Sequence, residues 1–205
     1  QDIKALKDLK PEERASINLK LKSGVKGVFN LIATLGGGYV DKLLWDNELI
    51  TTYFQRNSQL LATYKGNNSG TDLESELRSH TDYDYSRTST ISDIAMPATP
   101  GINKRYYYFN QSHSATYNQV FRVGKNGELG INAAYLNDRD ERSNQSVTTT
   151  LLPDGSKNVV DESFNGILHR NIANGNITYM QNTERNYIKE QLKFDWLSTD
   201  GYSNI

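Results

Sequence analysis

Three histidines, two acidic clusters and one aromatic run are the residues whose types and spacing could do chemistry. His80, His113 and His169 lie far apart, and none falls in the short spacing by which two imidazoles on one element share a metal. Asp82-Tyr83-Asp84 and the group Asp138, Asp140, Glu141 could offer carboxylate oxygens to a calcium ion. Neither has the roughly twelve-residue ligand loop of an EF-hand, and solvated acidic loops are the plainer reading. Gly36-Gly37-Gly38 lacks the Lys-Ser/Thr that follows in a phosphate-binding loop, so it reads as a turn. Tyr106-Tyr107-Tyr108-Phe109 offers aromatic area with polar handles, a platform for sugars or peptides; the alternative is strand packing or an interfacial girdle. Asn67-Asn68-Ser69 and Asn110-Gln111-Ser112 match the glycosylation acceptor pattern. No nucleophile, base and orienting group stand together, and no acid–base pair is visible. The sequence therefore assigns no catalytic, cofactor or metal residue and names no ligand contacts, and an enzyme is not expected.

Composition narrows the class. The chain has 205 residues with 23 basic against 24 acidic, so the basic excess of a nucleic-acid surface is missing. It has no cysteine, which excludes disulfides and thiolate metal sites. No apolar run approaches the roughly 18 residues of a spanning helix. Only 36% of residues are hydrophobic, while tyrosine occurs 13 times and asparagine is more frequent still. A sheet with lipid on one face and a wet interior on the other suits that balance, because only alternate residues need be apolar.

The elements that would position these residues are strands. In Gly127–Asn137, Leu129, Ile131, Ala133 and Tyr135 share one phase and Glu128, Gly130, Asn132 and Ala134 the other. Similar units recur at 27–35, 44–54, 59–65, 104–122, 171–180 and 187–197, the last with Leu192, Phe194 and Trp196 in phase against Lys193 and Asp195. Ile17, Leu19 and Leu21 alternate in an earlier strand, after a helical phase at Ile3, Leu6 and Leu9. Short links at 55–58, 124–127 and 181–186 alternate with long polar stretches at 66–104 and 138–170; within the second, Pro153-Asp154-Gly155-Ser156 marks a hairpin. Short turns at one end and long loops at the other are the habit of an up-and-down transmembrane barrel. Tyr53, Phe54, Phe121, Tyr179 and Tyr187 near strand ends suit an aromatic girdle. A soluble antiparallel β-sandwich, serving as an extracellular binding or adhesion module, alternates in the same way.

Several runs carry a family resemblance. Ala5-Leu6-Lys7-Asp8-Leu9-Lys10-Pro11, then Ile17-Asn18-Leu19-Lys20-Leu21-Lys22 and Gly24-Val25-Lys26-Gly27, resemble the passage from plug to barrel in TonB-dependent-receptor-like outer-membrane proteins of Bacteroidetes. Phe54 before Gln59-Leu60-Leu61, the turn Gly66-Asn67-Asn68-Ser69-Gly70, Tyr107–Ser114, Leu136–Glu141 and Gln181-Asn182-Thr183-Glu184 are similar to it as well. The resemblance implies an all-β fold: part of a transmembrane antiparallel β-barrel at 25–205, the end of a plug-like domain at 1–24, and extracellular loops near 66–104 and 138–170. It implies energised uptake of a large solute across the outer membrane of a Gram-negative bacterium. The implied partners are outer-membrane lipid, the rest of the barrel and plug, a periplasmic energy-coupling protein and a surface lipoprotein, with no nucleic acid. Complete members have about 22 strands, so a chain with about seven is expected to be a piece of a longer polypeptide. A structural barrel without energised transport is the remaining alternative.

Overall fold

The computed structural model describes residues 27–74, 76–77 and 94–204. Alternating sequence dictates extended chain, and seven strands result: β1 (Val28–Val40), β2 (Lys42–Gln55), β3 (Ser58–Asn67), β4 (Phe109–Val123), β5 (Gly127–Leu151), β6 (Lys157–Asn182) and β7 (Tyr187–Asn204). They form one antiparallel sheet in simple sequence order, β1 to β7. The protein is thus all-β, and the sheet is open, with β1 and β7 as its edges. No described helix is long and apolar enough to cross a membrane. The plug-like stretch 1–24 lies outside the described residues, as do His80 and Asp82–Asp84.

Three short turns share one end of the sheet: 56–57, 124–126 and 183–186. They are tied to one another, Arg122 N donating to Asn57 O (2.8 Å) and Asn182 N to Asn126 O (3.0 Å). The opposite end carries the β1–β2 reversal at Asp41 (φ 38°), the long connection from β3 to β4, and the β5–β6 tip.

Several expectations need correction. Gly36-Gly37-Gly38 is not a turn; the three glycines pair with Asp46, Trp45 and Leu44 inside the β1–β2 ladder. The hairpin read at 147–161 is the end of a much longer ribbon that takes in the whole of 138–170. The β5–β6 ladder runs unbroken from Gly127↔Gln181 to Leu151↔Lys157, and only the Leu152–Ser156 tip leaves it. At that tip Leu152 N donates to Ser156 O, and Asp154 Oδ1 accepts from Ser156 N and Oγ. Alternation vanishes there because both faces of the ribbon meet water, yet backbone pairing needs no apolar face. Residues 104–108 are not strand either: Lys104–Tyr106 form a 3₁₀ turn capped by Asn103.

The register sorts side chains into two faces. One face carries Phe29, Leu31 and Ala33, then Leu49 and Tyr53, Leu60 and Ala62, Ala115 and Tyr117, Leu129 and Ile131, Ala173 and Ile177, and Leu192, Phe194 and Trp196. This face is open; Phe29 is 63% exposed, Leu192 68% and Phe194 61%. The other face carries Glu48, Lys65, Ser112, Ser114, Thr116, Ala134, Leu136, Asp138, Asp140, Arg170, Ile172 and Asn174, and residues 71–74 and 76–77 of the β3–β4 connection fold back onto it. The core sits there, where Leu73 and Leu77 pack with Ala134, Leu136 and Ile172, and Leu197 flanks them. Of the girdle candidates, Tyr53, Phe121 and Tyr179 lie on the open face; Phe54 and Tyr187 lie in the opposite phase.

Candidate functional site: a strapped polar wall

The strongest constellation grows from two asparagines that read as glycosylation acceptors. Asn67 ends β3 and Asn110 is the second residue of β4. Asn67 Oδ1 accepts from Ser69 N (3.2 Å), Thr71 N (3.2 Å) and Asn110 Nδ2 (2.9 Å), while its Nδ2 donates to Thr71 O (3.1 Å). Asn110 Oδ1 accepts from Gly70 N (2.9 Å). Gly70 has φ +86°, and a Cβ on it would lie 2.8 Å from Arg105 O, so this turn demands glycine. Asn68 extends the ladder beyond β3: its Oδ1 accepts from Trp45 N (2.7 Å) and its Nδ2 donates to Leu43 O (2.9 Å). These amides are structural, buried or tied to backbone, and unsuited to carry a glycan.

The chain leaving this turn crosses the covered face as a strap, described at residues 71–74 and 76–77. Asp72 Oδ1 accepts from Glu74 N (3.0 Å), and Glu76 N donates to Leu73 O (3.1 Å), which starts a helical turn. Residues four apart on such a turn share a side, and Leu73 and Leu77 are 5% and 0% exposed. The acids flanking them meet cations: Glu74 faces Arg170 (3.4 Å), Glu76 faces Lys65 (3.1 Å) and Asp72 faces Lys104 (2.6 Å).

Beneath the strap lies a buried network centred on Asp138. Its Oδ1 accepts from Tyr108 Oη (2.5 Å) and Ser112 Oγ (2.6 Å); its Oδ2 accepts from Arg170 at 2.6 and 3.2 Å. Asp140, one step along the same face, accepts three hydrogen bonds from Arg142. The acidic cluster is therefore not a solvated loop. Asp138 and Asp140 are two apart on a strand, so both point to the covered face, and their lone pairs are spent on cations and hydroxyls. Among the described residues, no group of His, Asp or Glu is arranged to hold a metal.

Burial, reinforced by the Asp138 carboxylate, raises the Tyr108 phenol well above its ordinary range. Burial would raise the Asp72 carboxyl as well, but Lys104 and the Glu74 N–H outweigh it and hold that carboxyl below the usual value.

The remaining sequence candidates scatter. His113 is on the open face, accepting or donating at Nδ1 to Tyr64 Oη (2.9 Å), with its ring 5.4 Å from that of Trp45. His169 stands across from Asp200 in the β6–β7 ladder, and the two described histidines share no partner. The aromatic run divides. Tyr108 is buried under the Lys104 ammonium, 4.2 Å from its ring. Tyr106, Tyr107 and Phe109 line an open cleft of about 410 Å³ with Arg142, Ser143 and Asn144. The strap was invisible in the sequence; the one signal for it was the Leu73/Leu77 spacing inside a polar stretch.

Comparison with protein-family models, curated proteins and solved structures gives no match.

Proposed function

We propose that the sheet is a stretch of wall from an outer-membrane β-barrel, part of a carrier that takes up a large solute. The observation that carries the reading is the apolar band on the open face, which continues in register across all seven strands. A water-exposed face of that extent is foreign to a soluble monomer, whereas alternate residues facing lipid require it.

The dimensions support the reading. On β5 the open-face apolar residues Leu129 to Tyr135 lie between Gly127 and Asn137. That interval is about 34 Å at about 3.4 Å per residue; tilted by about 40°, it is about 26 Å tall, close to the lipid-facing band of about 25 Å. Toward β1 and β2 the apolar residues continue further, through Leu35, Tyr39 and Leu43, so the band runs oblique to the hydrogen-bonded rows. Tilted barrel strands produce that obliquity.

Tyrosines at the borders turn their hydroxyls away from the band. Tyr64 reaches His113 and Tyr135 reaches Asn171 on the long-connection side. Tyr53 reaches Gln55 toward the short turns. Amphipathic rings at both interfaces are what a bilayer selects. The open edges of β1 and β7 would pair with further strands of the same barrel, because a bilayer does not tolerate unpaired edges.

Uptake of a large solute, a periplasmic energy-coupling partner and a surface lipoprotein rest on the family resemblance of the sequence. The test is arginine placed on either face of β5 in the full chain. Ile131→Arg should cost about 2–4 kcal/mol of folding in lipid vesicles if that position sits at mid-depth, while Asn132→Arg should be tolerated. Cooperative folding without detergent, with both variants alike, would instead favour a soluble β-sandwich.

A further inference from the structure

We infer that the strap is a displaceable occupant of the covered wall: it alternates between the seated state and a released state in which Ser114, Asn118 and Asn174 are hydrated. Three observations carry this. First, the face on which the strap seats holds stranded polar atoms. The Asn174 side chain is 4% exposed, and neither its Nδ2 nor its Oδ1 has a hydrogen-bond partner. Ser114 Oγ and Asn118 Nδ2 are stranded likewise. All three lie on the covered face; Asn174 is opposite Ala134 and Ser114 opposite Leu136, two residues on which Leu73 and Leu77 seat, and Asn118 is one step further along that face, opposite Asn132. A buried amide lacking any partner opposes the state that buries it.

Second, the wall keeps its charges paired when the strap leaves. Arg170 retains Asp138 (2.6 Å), and Lys65 retains Glu48 (3.0 Å). Glu74 and Glu76 are second partners to cations that already have one, while Lys104, which loses Asp72, is about one-third exposed to water. Release therefore exposes no orphaned buried charge, the event that would otherwise forbid it.

Third, the hinge is defined. The Asn67–Asn110 bonds fix the chain through Thr71, so motion begins at Asp72. Apolar burial of Leu73 and Leu77 favours seating, and stranded amide and hydroxyl groups oppose it. Opposed terms of similar size make an element bistable rather than rigid. Release uncovers one hydroxyl and two amides framed by Ala134, Leu136 and Ile172, beside the paired Asp138 and Arg170.

The test is hydrogen exchange of the Leu73–Leu77 amides in the full chain. Asn174→Leu removes the stranded amide at similar volume and should slow that exchange about tenfold; Ser114→Ala, a smaller change, should slow it about threefold. Leu77→Ala should speed it and, in a Ser114→Cys background, should raise labelling by a polar maleimide. Exchange that is unchanged or faster in both Asn174→Leu and Ser114→Ala would overturn the inference. The outcome is independent of what meets the open face: a chain that proves soluble without detergent sinks the barrel reading and leaves this result standing.

Discussion

Asp138 on β5 and Arg170 on β6 stand directly opposite in register, with carboxylate and guanidinium 2.6 Å apart under the strap. The pair is the junction of two structures. Through Tyr108 and Ser112 it fixes the start of β4, and through Glu74 it meets the strap.

Removing one member should therefore be costly. Asp138→Ala removes the shared acceptor of two buried hydroxyls and leaves the Arg170 guanidinium only Glu74 at 3.4 Å, and should cost about 3–5 kcal/mol. Asp138→Leu combined with Arg170→Met should cost clearly less than the two single changes added. Denaturant titration of the four proteins of this double-mutant cycle measures it.

Leu77 is fully buried among Ala134, Leu136 and Ile172. Leu77→Ala should weaken the seated strap by about 2–5 kcal/mol. Limited proteolysis at the strap should accelerate, while the β-sheet circular dichroism of the full chain stays unchanged.

The strap anchor should respond to acid. The Asp72 carboxyl is held below its usual value by Lys104 and the Glu74 N–H. A depressed folded pKa gives stability that is present above the unfolded value, near 4, and is lost as pH falls through the folded one. Proteolytic protection of the strap should be flat from neutral pH down to about 5 and should fall below about 4. Both side chains are about one-third exposed, so the effect is modest. Lys104→Met should remove the anchor, lower protection at neutral pH and flatten its fall below about 4, where the two proteins converge.

The Tyr108 phenol gives the opposite sign. Its pKa is raised by burial and by Asp138, so its contribution is full below the unfolded value near 10 and is lost as pH rises beyond it. Tyr108→Phe should lower stability at neutral pH and flatten the alkaline limb of the unfolding curve.

Much of the fold was legible because one side of each strand is apolar. Leu129, Ile131, Ala133 and Tyr135 share a face in β5, as their alternation requires, and Leu192, Phe194 and Trp196 do so in β7. Legibility fails where that cause is absent. Beyond Glu141 both faces of the β5–β6 ribbon are exposed and its few apolar residues, such as Val147 and Val159, keep no long alternation, so only the hairpin at its tip was legible although the ladder is continuous. Gly36–Gly38 imitates a turn for want of side chains, although its backbone is ordinary strand. The polar wall was the least legible part. Asp138 and Arg170 are distant in sequence, and Asn67 and Asn110 are joined across a connection whose return is set by packing. Local pattern contains no term for such contacts.

What the open face touches decides whether the sheet is a barrel wall, and one tryptophan reports it. Trp196 lies on that face in register with Ala173, Tyr135 and Leu49. With Trp45→Phe it is the sole indole of the full chain, which has two. In vesicles of lipids brominated along the acyl chain, Trp196 fluorescence should be strongly quenched relative to unbrominated vesicles. Unquenched emission from a folded, water-soluble chain that leaves the vesicles behind would contradict the barrel wall.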